Sequence, residues 1–199
     1  HNVHKTFYFE SNDDVIPTMK FLKKINQISY FKNLINERYK IFENNVKYIL
    51  NDAEKIIINK IYNNIDKIFD EASCFPLCFC HGDLKSPNIF YKNNTEPILL
   101  DWQYIHLNKG VSDIVFLLIE SIEFDKTNVD LVVNFYYKLQ NEVHSIPYHT
   151  YMTDFKNALC IFPFFVSVWF NSESKDKLLD PIFPIRFIKN LMKYYNYYI

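Results

Sequence analysis

From residue 18 to residue 75 the chain contains neither glycine nor proline. Nothing in that stretch favours a tight turn or breaks backbone hydrogen bonding, so it reads as helix. The apolar period agrees. Ile35, Tyr39, Phe42, Val46, Ile49, Ala53 and Ile56 alternate spacings of four and three, with Lys, Glu and Asn between them. That is one stripe on a helix surface. Asn51-Asp52 predicts a break and an N-cap, after which a second helix runs to about Phe69. The heptad-like spacing also fits a coiled coil, but its short extent favours an antiparallel helix pair in a globular lobe.

The chain's two glycines, Gly82 and Gly110, both fall in the middle. Residues 77–80 form a short apolar run after Pro76. Residues 89–91 and 98–100 flank the polar cluster 92–95, the pattern of a small β-hairpin beside a third short strand. Helical patterning returns at 113–122, 129–142, 151–170 and 182–197. The expectation is a single α+β, mainly α domain, with a small β element and no repeat or linker.

At 199 residues, such a chain can bury roughly 70% of its unfolded surface. It is 49% hydrophobic and 23% charged with a net charge of −1, which indicates a globular protein and no nucleic-acid partner. The most apolar run, 158–170, is too short for a membrane span and contains Pro163, so it reads as a core helix. No signal segment opens the chain. Cys74, Cys78, Cys80 and Cys160 are too few for a stapled secreted domain and read as reduced thiols of a cytoplasmic protein. A metal site from Cys78, Cys80 and His81 is the weaker reading.

The segment that carries chemistry is Cys80-His81-Gly82-Asp83-Leu84-Lys85-Ser86-Pro87-Asn88, followed after the hairpin by Asp101-Trp102. A hairpin brings its ends together, so Asp101 should arrive beside Asn88. Two carboxylates and an amide then meet in a hard-oxygen pocket suited to Mg²⁺. Phosphoryl transfer needs such a pocket, with one carboxylate left to accept the acceptor's proton. Asp83 is the candidate base; Asn88 and Asp101 are the candidate metal ligands.

His-Gly-Asp-Leu-x-x-x-Asn with a following Asp-Trp resembles the motif of the aminoglycoside phosphotransferase and choline kinase superfamily. Asp101-Trp102-Gln103 is similar to its ecdysteroid-kinase-like branch. The resemblance implies a protein-kinase-like C-terminal lobe, with ATP and Mg²⁺, and a small hydroxyl-bearing acceptor. It implies Asp83 as catalytic residue, and Asn88 and Asp101 at the metal and nucleotide. Lys85 matches the protein-kinase lysine that approaches the transferred phosphate. His81 would support the loop, and Asp113, in Gly110-Val-Ser-Asp113, would reach back to brace it. Trp102 and Trp169 are acceptor-site candidates, although both also read as packing residues.

No glycine precedes Gly82, so the glycine-rich loop of a nucleotide-binding N-lobe is not in this sequence. His1-Asn2-Val3-His4 resembles the end of the family's Leu-x-x-Leu-His helix. The expectation is therefore a C-terminal catalytic lobe over 1–199, with its N-lobe encoded upstream. Two other functions stay open: a catalytically inactive kinase-like binding or scaffolding module, and a protein kinase. The dozen or so residues between Asp101 and Asp113 are too few for an activation loop, which ranks the protein kinase last. Aminoglycoside, choline, sugar and steroid acceptors all remain open.

Overall fold

The computed structural model describes residues 2–170 and 183–199. Helix α1 (Asn2–Thr6) and strand β1 (Tyr8–Phe9) precede the long run, which folds as α2 (Ser29–Val46), α3 (Asp52–Asn63) and α4 (Ile65–Ala72). In α2 the stripe is as expected: Phe31, Ile35, Tyr39, Phe42 and Val46 are buried. Beyond Val46 the predicted stripe fails. The helix ends there, the chain reorients through 47–51, and the helical phase restarts. Ala53 and Ile56 therefore face solvent, and Ile58, Ile61, Ile65 and Phe69 take the buried positions. A second break at Asn64 divides the helix expected to reach Phe69.

Asn51 caps α3 as expected. Its side chain accepts the Glu54 amide at 2.9 Å, and the Glu54 carboxylate accepts the Asn51 amide at 2.8 Å. Each partner satisfies an amide that the helix itself leaves unbonded. Asn51→Ala is expected to cost about 1 kcal/mol, read as a lower denaturant midpoint at unchanged slope.

Strand β2 (Leu77–Cys80) does not lie beside the hairpin. It is the centre of an antiparallel sheet ordered β1-β2-β5, where β5 is His106–Asn108. The hairpin, β3 (Ile89–Lys92) and β4 (Glu96–Leu99), forms its own two-stranded sheet with Ile89 opposite Leu99. Asn93 and Asn94 make its turn with positive φ angles of 52° and 59°, a conformation Asn tolerates better than most residues.

The remaining helices are α5 (Val111–Ser121), α6 (Val129–His144), α7 (Tyr148–Leu159), α8 (Phe162–Phe170) and α9 (Phe183–Tyr198). The single helix expected over 151–170 is two. Helix α7 ends as the Cys160 amide turns back to Asn157, and Pro163 sits in the first turn of α8, where its missing N–H costs nothing. Helix α2 packs mainly on α8 rather than on α3: Phe31 meets Phe165 edge-on at 4.7 Å between ring centres, while Tyr39 still stacks on Tyr62 of α3 at 3.6 Å. One apolar core runs through the helices, and a smaller one, Phe9, Val15, Leu22, Leu77 and Leu107, lies against the three-stranded sheet. Among the described residues no helix is long and apolar enough to cross a membrane.

Candidate active site

The loop after β2 is held from below. Asp113, in the first turn of α5, accepts the backbone amides of His81 at 2.8 Å and Gly82 at 2.9 Å. It also accepts His4 Nε2 at 3.0 Å, and His4 Nδ1 lies 2.6 Å from the Tyr136 hydroxyl. Burial pushes the Asp113 carboxyl up, but the His4 hydrogen bond and charge, with the two amides, outweigh it and hold the group below its ordinary value. Gly82 is required here by its backbone. Its φ is +79°, and a Cβ would stand 2.2 Å from the Tyr104 carbonyl oxygen.

His81 ties the loop to the hairpin. Its Nδ1 accepts the Asp83 amide at 3.3 Å, and its Nε2 donates to the Leu100 carbonyl at 2.8 Å. Both ring nitrogens are engaged, so Cys78, Cys80 and His81 do not assemble a metal site. The four cysteines are free thiols, of which only Cys74 is exposed. His4, Cys80 and Asp113 do come within 4.8 Å of one another. Each already has hydrogen-bond partners in the protein, and burial holds the Cys80 thiol well above its ordinary pKa, so the group is a brace.

Asp83 is 3% exposed. Its Oδ2 accepts Lys85 Nζ at 3.0 Å and Asn88 Nδ2 at 3.2 Å, and Asn88 Nδ2 also donates to the Asp83 carbonyl at 2.9 Å. Both donations come from nitrogen, which leaves the Asn88 amide oxygen for another partner. The hairpin closes as expected: the Leu100 amide donates to the Asn88 carbonyl at 2.8 Å, bringing Asp101 to the same end. Asp101 is exposed, with a φ of +60°. Strained residues of this kind cluster at functional sites. Burial raises the Asp83 pKa; Lys85 and Asn88 draw it back, and the charge of Asp101 raises it further.

Asp83 and Lys85 also line a cavity of about 470 Å³ together with Tyr104, Phe116, Phe162 and Phe165. That is the size of a small-molecule site. Trp102 is not among its lining residues. Its ring packs on Phe79 and His81, and its Nε1 donates to the Leu99 carbonyl at 3.0 Å. The side chain of Trp169 lies outside the described residues. The sequence reading missed the aromatic walls of the cavity. Their only signal was i, i+3, i+4 spacing within separate helices, which a core face shares.

No curated protein and no solved structure matches the chain. A family model matches residues 3–148, well over half of the chain and the whole span from β1 through α6, including the braced loop and the hairpin. The chain belongs to the ecdysteroid kinase-like family, a branch of the choline-kinase-like superfamily.

Proposed function

We propose that this chain is the catalytic lobe of an ATP-dependent phosphotransferase that moves the γ-phosphate to a hydroxyl of a small molecule. The observation that carries the reading is a buried Asp83 carboxylate that faces a ligand-sized cavity while its neighbours Asn88 and Asp101 present hard oxygens at one end of the hairpin. Asp83 accepts the acceptor's proton as the acceptor oxygen bonds to phosphorus and the bond to the ADP oxygen breaks. Lys85 orients Asp83 and offers positive charge to the phosphate in flight. The braced loop fixes the position of Asp83, which transfer in line demands.

The donor set fits magnesium. An amide oxygen and a carboxylate are ligands it favours, and Asp101 already raises the Asp83 pKa by its charge, a repulsion a cation relieves. When bound there, magnesium would neutralise charge on the nucleotide phosphates. Asn88 and Asp101 would hold it.

The test is ADP release by the full-length protein that carries this lobe, with ATP, magnesium and a panel of small alcohols. Release that depends on both the metal and an alcohol is expected; none with any alcohol would overturn the reading. Asp101→Asn is expected to raise the magnesium concentration for half-maximal turnover by about tenfold or more, since even indirect supports of a metal matter on that scale. An unchanged metal requirement would remove Asp101 as a ligand.

A further inference from the structure

Asp113 holds the loop after β2 from the first turn of α5, and the last turn of the same helix holds that loop a second time. The Ser121 hydroxyl accepts the Ser86 amide at 2.8 Å and donates to Glu120 Oε2 at 2.5 Å. Asp113 and Glu120 are the only acids of α5, so each anchor has its own carboxylate. Between the anchors Lys85 is extended, with φ −141° and ψ 161°. The loop thus lies along α5 and is tied to it at both ends.

Neither member of the second anchor follows ordinary helix habits. A helical hydroxyl commonly turns back to the carbonyl four residues earlier. Ser73, Thr153 and Ser167 all do so, at 2.8, 3.0 and 2.9 Å. Ser121 instead donates to the neighbouring carboxylate, which leaves an oxygen lone pair for the loop. Glu120 stands in the last turn of α5, where the helix dipole disfavours a carboxylate. Its bond to Ser121 polarises the hydroxyl and strengthens the hold on the Ser86 amide.

We infer that Ser121, oriented by Glu120, is a positioning residue that seats Lys85 and Asn88 against Asp83. Ser86 opens a 3-10 turn, Ser86–Asn88. In it the Asn88 amide donates to the Lys85 carbonyl at 2.9 Å, and the Ile89 amide donates to the Ser86 carbonyl. Fixing Ser86 therefore fixes Lys85 before it and Asn88 after it. These two supply the nitrogen donors to Asp83 Oδ2. Asp113 places the backbone that leads into Asp83, and Ser121 places the partners of its carboxylate. The consequences for turnover and metal rest on the phosphotransferase reading; the clasp itself does not.

In the full-length protein that carries this lobe, Ser121→Ala is expected to lower turnover about tenfold. It should also raise the magnesium concentration for half-maximal turnover about tenfold, the low end of what indirect supports of a metal contribute. The acceptor KM should not change. The Ser86–Ser121 bond is exposed, so the melting temperature should stay near its native value. Ser121→Thr keeps the hydroxyl and should keep most of the rate. Amide hydrogen exchange, followed by NMR, reads the clasp without turnover. The Ser86 and Asn88 amides should lose protection in Ser121→Ala and in Glu120→Leu. They should keep it in Glu120→Gln, which retains an acceptor oxygen. The His81 and Gly82 amides, held by Asp113, should stay protected throughout. Native protection of Asn88 in Ser121→Ala, or a variant impaired only in melting temperature or acceptor KM, would overturn the assignment. Lost protection at Asn88 in a protein that never releases ADP sinks the phosphotransferase reading and leaves the clasp standing. ADP release with an unchanged magnesium requirement and native exchange in Ser121→Ala does the reverse.

Discussion

Asp83→Asn is expected to lower turnover by about 10²–10⁴-fold, the usual contribution of a positioned general base. The substitution keeps the shape of the side chain and removes only its capacity to take a proton. Asn88 still finds the residue 83 carbonyl, to which it donates at 2.9 Å in the native loop, so the loop geometry should survive. The pH profile gives a second reading of the same role. Asp83 must be ionised to act, and burial raises its pKa above that of an exposed aspartate. Native turnover should therefore fall as pH drops through that raised value, at a higher pH than the roughly 3.9 of a free aspartate. The Asn variant should lose this acid limb along with most of its rate. Turnover of the Asn variant equal to that of the native protein would falsify the base assignment, whatever the metal requirement shows.

What could be read in the sequence was what lies close along the chain. The spacing from His81 to Asp101 was legible because a hairpin turned by Asn93 and Asn94 folds locally, and hairpin ends meet wherever the rest of the chain goes. The stripe from Ile35 to Val46 was legible because one helix carries all of it. It misled beyond Val46, since a period counted across a break has lost its phase, and Ile56 is 68% exposed as a result. Strands β1 and β5 are two and three residues long, too short to show alternation, and only pairing with β2 makes them strands. The walls of the cavity beside Asp83 were not legible at all. Tyr30, Phe116, Glu120, Phe165 and Arg186 come from four helices that converge only through tertiary packing. In a chain with 18% aromatic residues, a cavity wall and a core face have the same local pattern.

Asp113→Ala is expected to destabilise the fold by about 3–5 kcal/mol, the range for removing one partner of a buried charged network. At about 2–4 °C per kcal/mol for a chain of this size, the melting temperature should fall by roughly 6–20 °C. Two buried amides, those of His81 and Gly82, would lose their acceptor, and His4 would lose its carboxylate. The damage falls where the backbone is least able to absorb it, because Gly82 occupies a positive-φ conformation against the Tyr104 carbonyl. Asp83 is the next residue, so turnover should fall together with stability. Linkage supplies the discriminating measurement. The Asp113 carboxyl is held below its ordinary value in the folded chain. Its contribution is therefore complete above the unfolded pKa of about 3.9 and is lost as pH falls through the lower folded value. Below about pH 4, the native protein should lose melting temperature more steeply than Asp113→Ala, and the two curves should converge. Parallel curves with no offset at neutral pH would mean that the loop is held by something other than this carboxylate.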